Sequence, residues 1–163
     1  MPTKSLLPYS NTREEAAFRF LGVPTLMRAT AETTNGGFAL MEHYEMPAGF
    51  ASPYHTHHRE DESFYVLEGQ IAFVCDGKWL KAGPGTYVFG PREIPHGFKV
   101  VGHPARMLIL CDPAGFERFV LEQTTPITEP PSAPDMGKLL ALAAKYGIDI
   151  HGPLPQEPGE AAR

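Results

Sequence analysis

The sequence predicts an all-β domain, a small sandwich or barrel, followed by a short helical extension. Runs in which apolar and polar residues alternate give roughly eight short strands, with turn signals about every 8–12 residues. The 17 prolines and 16 glycines favour short strands and turns over long helices. A length of 163 residues suits a single domain with a buried core.

Residues 1–33 are predicted to form an N-terminal arm with one edge strand. The mixed apolar stretch at 15–31 contains Pro24, and a proline within a strand favours a position at the edge of a sheet. The first fifteen residues lack the apolar segment of a secretory signal, and no apolar run approaches the ~20 residues that cross a bilayer. We therefore expect a cytoplasmic protein without a membrane partner.

Residues 34–113 are predicted to form the β core. The stretch SFYVLEGQIAFVCDGKWLKAG reads as hairpins that turn at Glu68-Gly69 and again at Asp76-Gly77. GTYVFGP, HGFKVVG and ARMLILCD supply further strands. Cys75 and Cys111 lie in strand-like runs, where free thiols behave as small buried hydrophobes, so no disulfide is expected.

The strand GGFALMEHYEM carries two ionisable residues on opposite faces. Phe38, Leu40 and Tyr44 share one face with Glu42, so Glu42 is predicted to point inward. A carboxylate inside a barrel needs a partner, and we expect an arginine. His43, on the other face, is expected at the surface or at an interface.

Residues 114–150 are predicted to form helices separated by an extended, proline-rich connector, TTPITEPPSAP. GFERFVLEQ places Phe116 and Phe119 at helical spacing, and a second helix begins after Ser132 or Asp135 and ends at Gly147. Residues 151–163 are expected to be a loose tail. The net charge of −5 argues against a nucleic-acid partner.

Three potential metal ligands lie close together in SPYHTHHREDESF. His55 and His57 face the same way in a strand, because residues two apart share a face, and Glu62 opens the next strand. His96, at the start of a strand after GPREIP, is the best placed of the remaining histidines. Three imidazoles with one carboxylate suit a divalent transition metal, namely Fe, Mn, Ni, Co, Cu or Zn.

The same residues resemble the two sequence motifs of the cupin superfamily. The first motif, glycine, His-x-His, glutamate and glycine, is matched in spacing by the residues Gly49, His55, His57, Glu62 and Gly69. The second motif is matched by Gly85, Pro91 and His96, with Glu93 where the family has glycine and Val100 where it has asparagine. Because glycine reaches positive φ most easily, the loop around Glu93 departs from the family pattern.

The resemblance covers residues 34–113 and implies a double-stranded β-helix, the jelly-roll barrel of cupins, with His55, His57, Glu62 and His96 as metal ligands. The helical extension resembles an appendage of some quercetinase-like single-domain cupins. The resemblance also implies a homodimer.

The function expected from this likeness is a metal-dependent, quercetinase-like dioxygenase acting on a small enolic or phenolic substrate. Glu62 is the candidate general base. The predicted pocket residues are Phe64, Phe98, Met107, Ile109 and Glu42. A metal-dependent isomerase or lyase, and a binding module without turnover, remain open as alternatives, because one fold hosts many reactions.

Overall fold

The computed structural model describes residues 7–159 and confirms the all-β prediction. The strands are β1 Ala17–Phe20, β2 Val23–Ala29, β3 Ala39–Met46, β4 Tyr54–His57, β5 Asp61–Cys75, β6 Lys78–Ala82, β7 Tyr87–Gly90, β8 His96–Asp112, β9 Thr125–Pro126 and β10 Ile148–Gly152. The helices are α1 Arg13–Ala16, α2 Ala31–Thr34, α3 Phe116–Leu121 and α4 Met136–Lys145. Among residues 7–159, no helix combines the length and apolar content needed to cross a bilayer.

Two long, bent strands organise the barrel. The first half of β5 pairs with β7 and with the second half of β8, whereas its second half pairs with β6 and with the first half of β8. The bend in β5 lies at Gly69, where φ is +78° and a Cβ would come within 2.8 Å of the Ala105 Cα. The predicted hairpin turn at Glu68-Gly69 was therefore wrong, because the chain bends there without reversing. Asp76-Gly77 does form a tight turn between β5 and β6.

Segments on both sides of residues 34–113 complete the sheet. β2 lies between β1 and β3, so it is not the edge strand that Pro24 suggested. Its hydrogen-bonded register with β3 begins only at Thr25, and Pro24 pairs with Arg19 of β1 alone. Pro24 has no N–H to donate, and this is tolerated because Pro24 lies outside the paired part of β2 and β3. At the other end, β10 runs to Gly152 and pairs with β4, so the chain is ordered beyond the boundary predicted at residue 150.

The inward face of β3 is opposite to the one predicted. Ala39, Met41 and His43 are buried, and the last two pair with Ile109 and Met107 of β8 on the core side. Phe38 is 39% exposed. The sequence of β3 has apolar residues on both faces, so either face could point inward. Its pairing with β8 determines which face does.

The C-terminal helices pack against the barrel and bury apolar residues of their own. α4 starts as predicted at Asp135, whose side chain accepts a hydrogen bond from the Lys138 N–H (3.1 Å), and Gly147 follows its end with φ of +72°. Phe116 and Phe119 of α3 join the core, and α4 adds Leu139. The extension therefore shares one core with the barrel.

Candidate metal centre

Three imidazoles converge on a single carboxylate oxygen. Glu62 Oε2 lies 2.6 Å from His96 Nε2, 3.2 Å from His57 Nε2 and 3.5 Å from His55 Nε2. The fold brings them together because β4 presents both of its histidines, His55 pairs directly with His96 across the β4–β8 ladder, and β5 starts beside them with Glu62. One ligand atom from each of the four residues lies within 4.8 Å of every other.

Hydrogen bonds to the far ring nitrogens fix the tautomer of each histidine. Nδ1 of His55 donates to the carbonyl oxygen of Pro53 (2.8 Å), and Nδ1 of His96 donates to that of Ile94 (2.9 Å). A carbonyl oxygen only accepts, so the proton of each neutral ring is on Nδ1 and the lone pair is on Nε2. This pattern is the one that orients metal-binding histidines.

His57 follows the same pattern with a carboxylate. Its Nδ1–H donates a hydrogen bond to Glu60 Oε2 (3.3 Å), and Glu60 is 3% exposed. Its fully buried Nε2 is near Glu62 but out of alignment, and has no hydrogen-bond partner in the described part of the chain. Buried polar atoms are rarely left in this state. Three lone pairs and a carboxylate that point at one another repel unless a cation lies between them, so the residues present fit a metal ion.

The electrostatics favour positive charge at this point. Burial opposes ionisation of Glu62, but the charge that His57 carries when it is protonated and the contacts of the carboxylate with the three imidazoles outweigh burial and hold the pKa of Glu62 well below its usual value. Burial likewise lowers the pKa of His57, yet the charges of Glu62 and Glu60 raise it to about 9. Glu62 is therefore a carboxylate at neutral pH, and the pair stabilises either a proton or a metal cation.

The β7–β8 loop that leads to His96 is held by the residue that replaces the family glycine. Glu93 has a φ of +66°, as expected where glycine is usual, and its N–H donates to the His57 carbonyl oxygen (2.7 Å). Its carboxylate accepts from His58 Nδ1 (2.8 Å), and His58 Nε2 meets Asp149 of β10 (2.7 Å). The exposed His58 thus links the loop to the C-terminal strand.

An apolar cavity of about 60 Å³ adjoins the cluster. His55 and Glu62 line its wall, whereas His57 and His96 do not. Open positions on a metal held by the four residues would therefore face the cavity on the His55 and Glu62 side. Of the predicted pocket residues, Phe64, Phe98 and Ile109 line this cavity.

The other two predicted pocket residues do not line it. Met107 faces the core but lies further along β8, beside His43 and Val66. Glu42 lies on the opposite face of β3 and binds arginines, as predicted, with Arg28 at 3.0 Å and Arg106 at 2.6 Å. Glu42 was assigned to the pocket because the inward face of β3 was chosen wrongly, and strand parity excludes it.

Sequence reasoning missed several residues that close the cavity. The extension supplies Phe116, Phe119, Leu139, Ile148 and Ile150, and the arm supplies Phe20. The ring of Phe116 packs edge-on against His57, with centroids 4.7 Å apart. The helical spacing of Phe116 and Phe119 was visible in the sequence, but nothing in it located that helix beside the histidines. His43 also lines the cavity and is not at the surface.

The fold defines a β-barrel of the cupin type, in which four convergent side chains form a candidate metal site, and the comparisons agree with this fold. The Cupin_2 cupin domain family model matches residues 42–111, which run from within β3 almost to the end of β8. KdgF from Halomonas sp. superimposes with a TM-score of 0.61 at 17% identity, covering 69% of this chain and 99% of that one. The barrel of this chain therefore has the cupin fold, and residues 42–111 are similar to the cupin domain family.

Two curated relatives match over the barrel. Quercetin 2,3-dioxygenase from Bacillus subtilis (strain 168) is 31% identical over 91 residues, which is 56% of this chain and 27% of the relative. Dimethylsulfoniopropionate lyase DddQ from Ruegeria pomeroyi is 36% identical over 66 residues, 40% of this chain and 32% of the relative. This chain thus matches only about a third or less of each of these relatives.

Proposed function

We propose that this protein is a metal-dependent oxygenase that acts on a small enolic or phenolic substrate. The observation that carries the proposal is the convergence of three Nε2 lone pairs on Glu62 at the wall of an apolar, aromatic cavity. Four protein ligands leave an octahedral metal with open positions, which distinguish a reactive site from a structural one. The likeness to quercetin 2,3-dioxygenase supports the choice of O₂ chemistry.

His55, His57, Glu62 and His96 would hold the metal, which when bound supplies Lewis acidity and reactivity towards O₂. The backbone carbonyls and Glu60 keep the imidazoles in the ligating tautomer. Glu62 is ionised, so it can accept the proton of a substrate hydroxyl at the cavity wall. Phe64 and Phe98 exclude water and offer flat surfaces to a planar substrate.

The size of the cavity favours a small substrate. Its volume of about 60 Å³ is far below the roughly 300–1,000 Å³ of sites for drug-sized ligands. A single ring or a short enol suits this space better than a multi-ring flavonol. The substrate class of the proposal is therefore a one-ring catechol, phenol or comparable enol.

A lyase or isomerase is the second candidate. The same ionised Glu62 can remove a proton next to an activated carbon without any O₂, and the likeness to a dimethylsulfoniopropionate lyase favours this option. A binding module without turnover would use the same contacts.

Oxygen uptake separates these candidates. The protein is loaded with Fe(II), Mn(II) or Ni(II) and mixed with a panel of catechols and a flavonol in an oxygen electrode. Substrate-dependent O₂ consumption supports the oxygenase, substrate loss without O₂ consumption supports the lyase or isomerase, and saturable binding without turnover supports the module. His57→Gln should abolish metal uptake. The matched control is His58→Gln, whose exposed ring faces Glu93 and Asp149, and it should retain the metal.

We also propose that the protein is a homodimer. A row of exposed aromatic residues lies on the outer face of the β5–β7 pair, with Tyr87 60%, Phe89 49% and Tyr65 43% exposed. Contiguous apolar surface of this kind is typical of interaction sites. Light scattering should give twice the chain mass, and Tyr87→Glu with Phe89→Glu should reduce it to that of a monomer. A monomeric wild-type protein would rule this proposal out.

A further inference from the structure

His43 is a buried imidazole that the metal site does not use. It lies on β3, is 5% exposed and lines the same cavity as His55 and Glu62. Phe20 stacks on its ring, with centroids 6.3 Å apart and planes at 12°. The ring is therefore held in one orientation beside the substrate space.

The hydroxyl group of Thr25 fixes the tautomer of His43. Thr25 Oγ1 lies 3.0 Å from the Val23 carbonyl oxygen and 2.8 Å from His43 Nδ1. Since the carbonyl only accepts, the single hydroxyl proton goes to Val23, and Thr25 Oγ1 accepts from an Nδ1–H of His43. The other ring nitrogen, Nε2, then carries a lone pair when the ring is neutral.

Burial keeps the ring neutral. It lowers the pKa of His43 to about 4, and the charge of Glu62 opposes this only in part. At neutral pH the residue therefore offers a hydrogen-bond acceptor with no proton to give at Nε2. Within residues 7–159, Nε2 of His43 makes no hydrogen bond, although the ring lines an otherwise mostly apolar cavity.

The strand register separates this acceptor from the metal ligands. Glu62 aligns with Cys111 and Ala39, and His43 aligns with Met107 four residues further along β3. At about 3.3 Å per residue, the two rows are roughly 13 Å apart along the strands. Glu62 and His43 thus line one cavity from two different rows, with Phe64 and Ile109 in the row between them.

We propose that His43 is a substrate-positioning residue that accepts a hydrogen bond at Nε2 from a hydroxyl group at the end of the substrate remote from the metal. This inference rests on the proposed function and narrows its substrate class to small rings with metal-binding oxygens at one end and a hydroxyl donor at the other. An analogue without that hydroxyl leaves a buried acceptor unpaired, so the site rejects it.

The test compares two catechols that differ by one hydroxyl group. Binding of 4-methylcatechol and of 4-(hydroxymethyl)catechol to the zinc-loaded protein is measured by calorimetry. We expect the hydroxymethyl compound to bind about tenfold more tightly than the methyl compound, because one net hydrogen bond contributes about that factor in affinity. His43→Phe should remove this preference and leave the zinc content at the wild-type value, and Thr25→Val, which frees the ring tautomer, should reduce it.

A second measurement does not depend on any variant or on turnover. Two-bond ¹H–¹⁵N correlation spectra of the zinc-loaded, histidine-labelled protein report which nitrogen of His43 is protonated. A proton on Nδ1 and none on Nε2 is the expected result, and the opposite tautomer overturns the proposal. So does a hydroxyl preference that persists in His43→Phe, or the failure of both catechols to bind. Oxygen uptake and metal content decide the proposed function separately.

Discussion

Replacing Glu60 with glutamine should weaken metal binding although Glu60 is not a candidate ligand. Its Oε2 accepts the Nδ1–H of His57 at 3.3 Å, and the pair lies in the interior, with Glu60 3% exposed. Burial lowers the pKa of His57, but the charge of Glu62 and, next to it, the hydrogen bond and charge of Glu60 raise it to about 9. The substitution removes this charge with little change of shape, so His57 becomes a poorer electron donor whose orientation is less restricted.

The expected size follows from the role of such supporting groups. Loss of a partner that orients a metal-bound histidine costs about 10–100-fold in metal affinity, which is about 1.4–2.7 kcal/mol. The assay is competition for Zn(II) with a chromophoric chelator, accompanied by thermal unfolding to verify the fold. Glu68→Gln is the matched control, because its side chain is 66% exposed and lies near Arg106, away from the metal ligands. Wild-type affinity in Glu60→Gln would refute the assignment of His57 as a ligand held by Glu60.

Three further predictions concern single substitutions, one beside the candidate site and two elsewhere in the barrel. Hydrogen bonds from Arg106 and Arg28 outweigh the effect of burial and lower the pKa of Glu42, so its contribution to stability is present above the ordinary glutamate pKa and is lost as the pH falls below it. Glu42→Gln should cost about 2 kcal/mol at pH 7 and less at acid pH in urea unfolding; an equal cost at both pH values would contradict this. Gly115→Ala brings a methyl group within 2.8 Å of Glu60 Oε1, displaces the carboxylate that holds His57 and should weaken zinc binding in the chelator assay. An unchanged affinity would contradict the supporting role of Glu60. Gly69→Ala places a Cβ 2.7 Å from the Pro104 carbonyl oxygen at positive φ and should lower the free energy of unfolding by about 2–4 kcal/mol, so a variant as stable as the wild type would contradict the tight bend.

The candidate ligands His55, His57 and Glu62 could be grouped from the sequence because their spacing is local. His55 and His57 share a strand face by parity, and Glu62 follows after one turn. His96 lies 34 positions beyond Glu62, and its place at the start of a strand made it the best candidate among the remaining histidines, a choice that the motif likeness supported. The four are brought together by the structure, while the metal itself remains a proposal.

The features that could not be predicted depend on contacts between distant segments. Glu68-Gly69 has the composition of a hairpin turn, but a fifteen-residue strand bends there because Gly69 packs against Ala105. The orientation of β3 depends on its pairing with β8, and a single strand with apolar residues on both faces does not reveal it.

The same limitation hid the contribution of the C-terminal extension. Phe116 and Ile148 lie 59 or more residues beyond His57 in the chain, yet Phe116 packs on its ring and Ile148 pairs with it across the β10–β4 ladder. Only the tertiary structure shows that residues outside 34–113 close the cavity.

X-ray absorption spectroscopy of the zinc-loaded protein tests the central claim most directly. The account predicts one zinc ion per chain with three imidazole nitrogens at about 2.0–2.1 Å and a carboxylate oxygen at about 2.0–2.2 Å. In His96→Ala, the expected result is either a shell with one imidazole fewer or complete loss of the metal. A shell with fewer than three imidazoles in the wild-type protein, or one that is unchanged in His96→Ala, would contradict it.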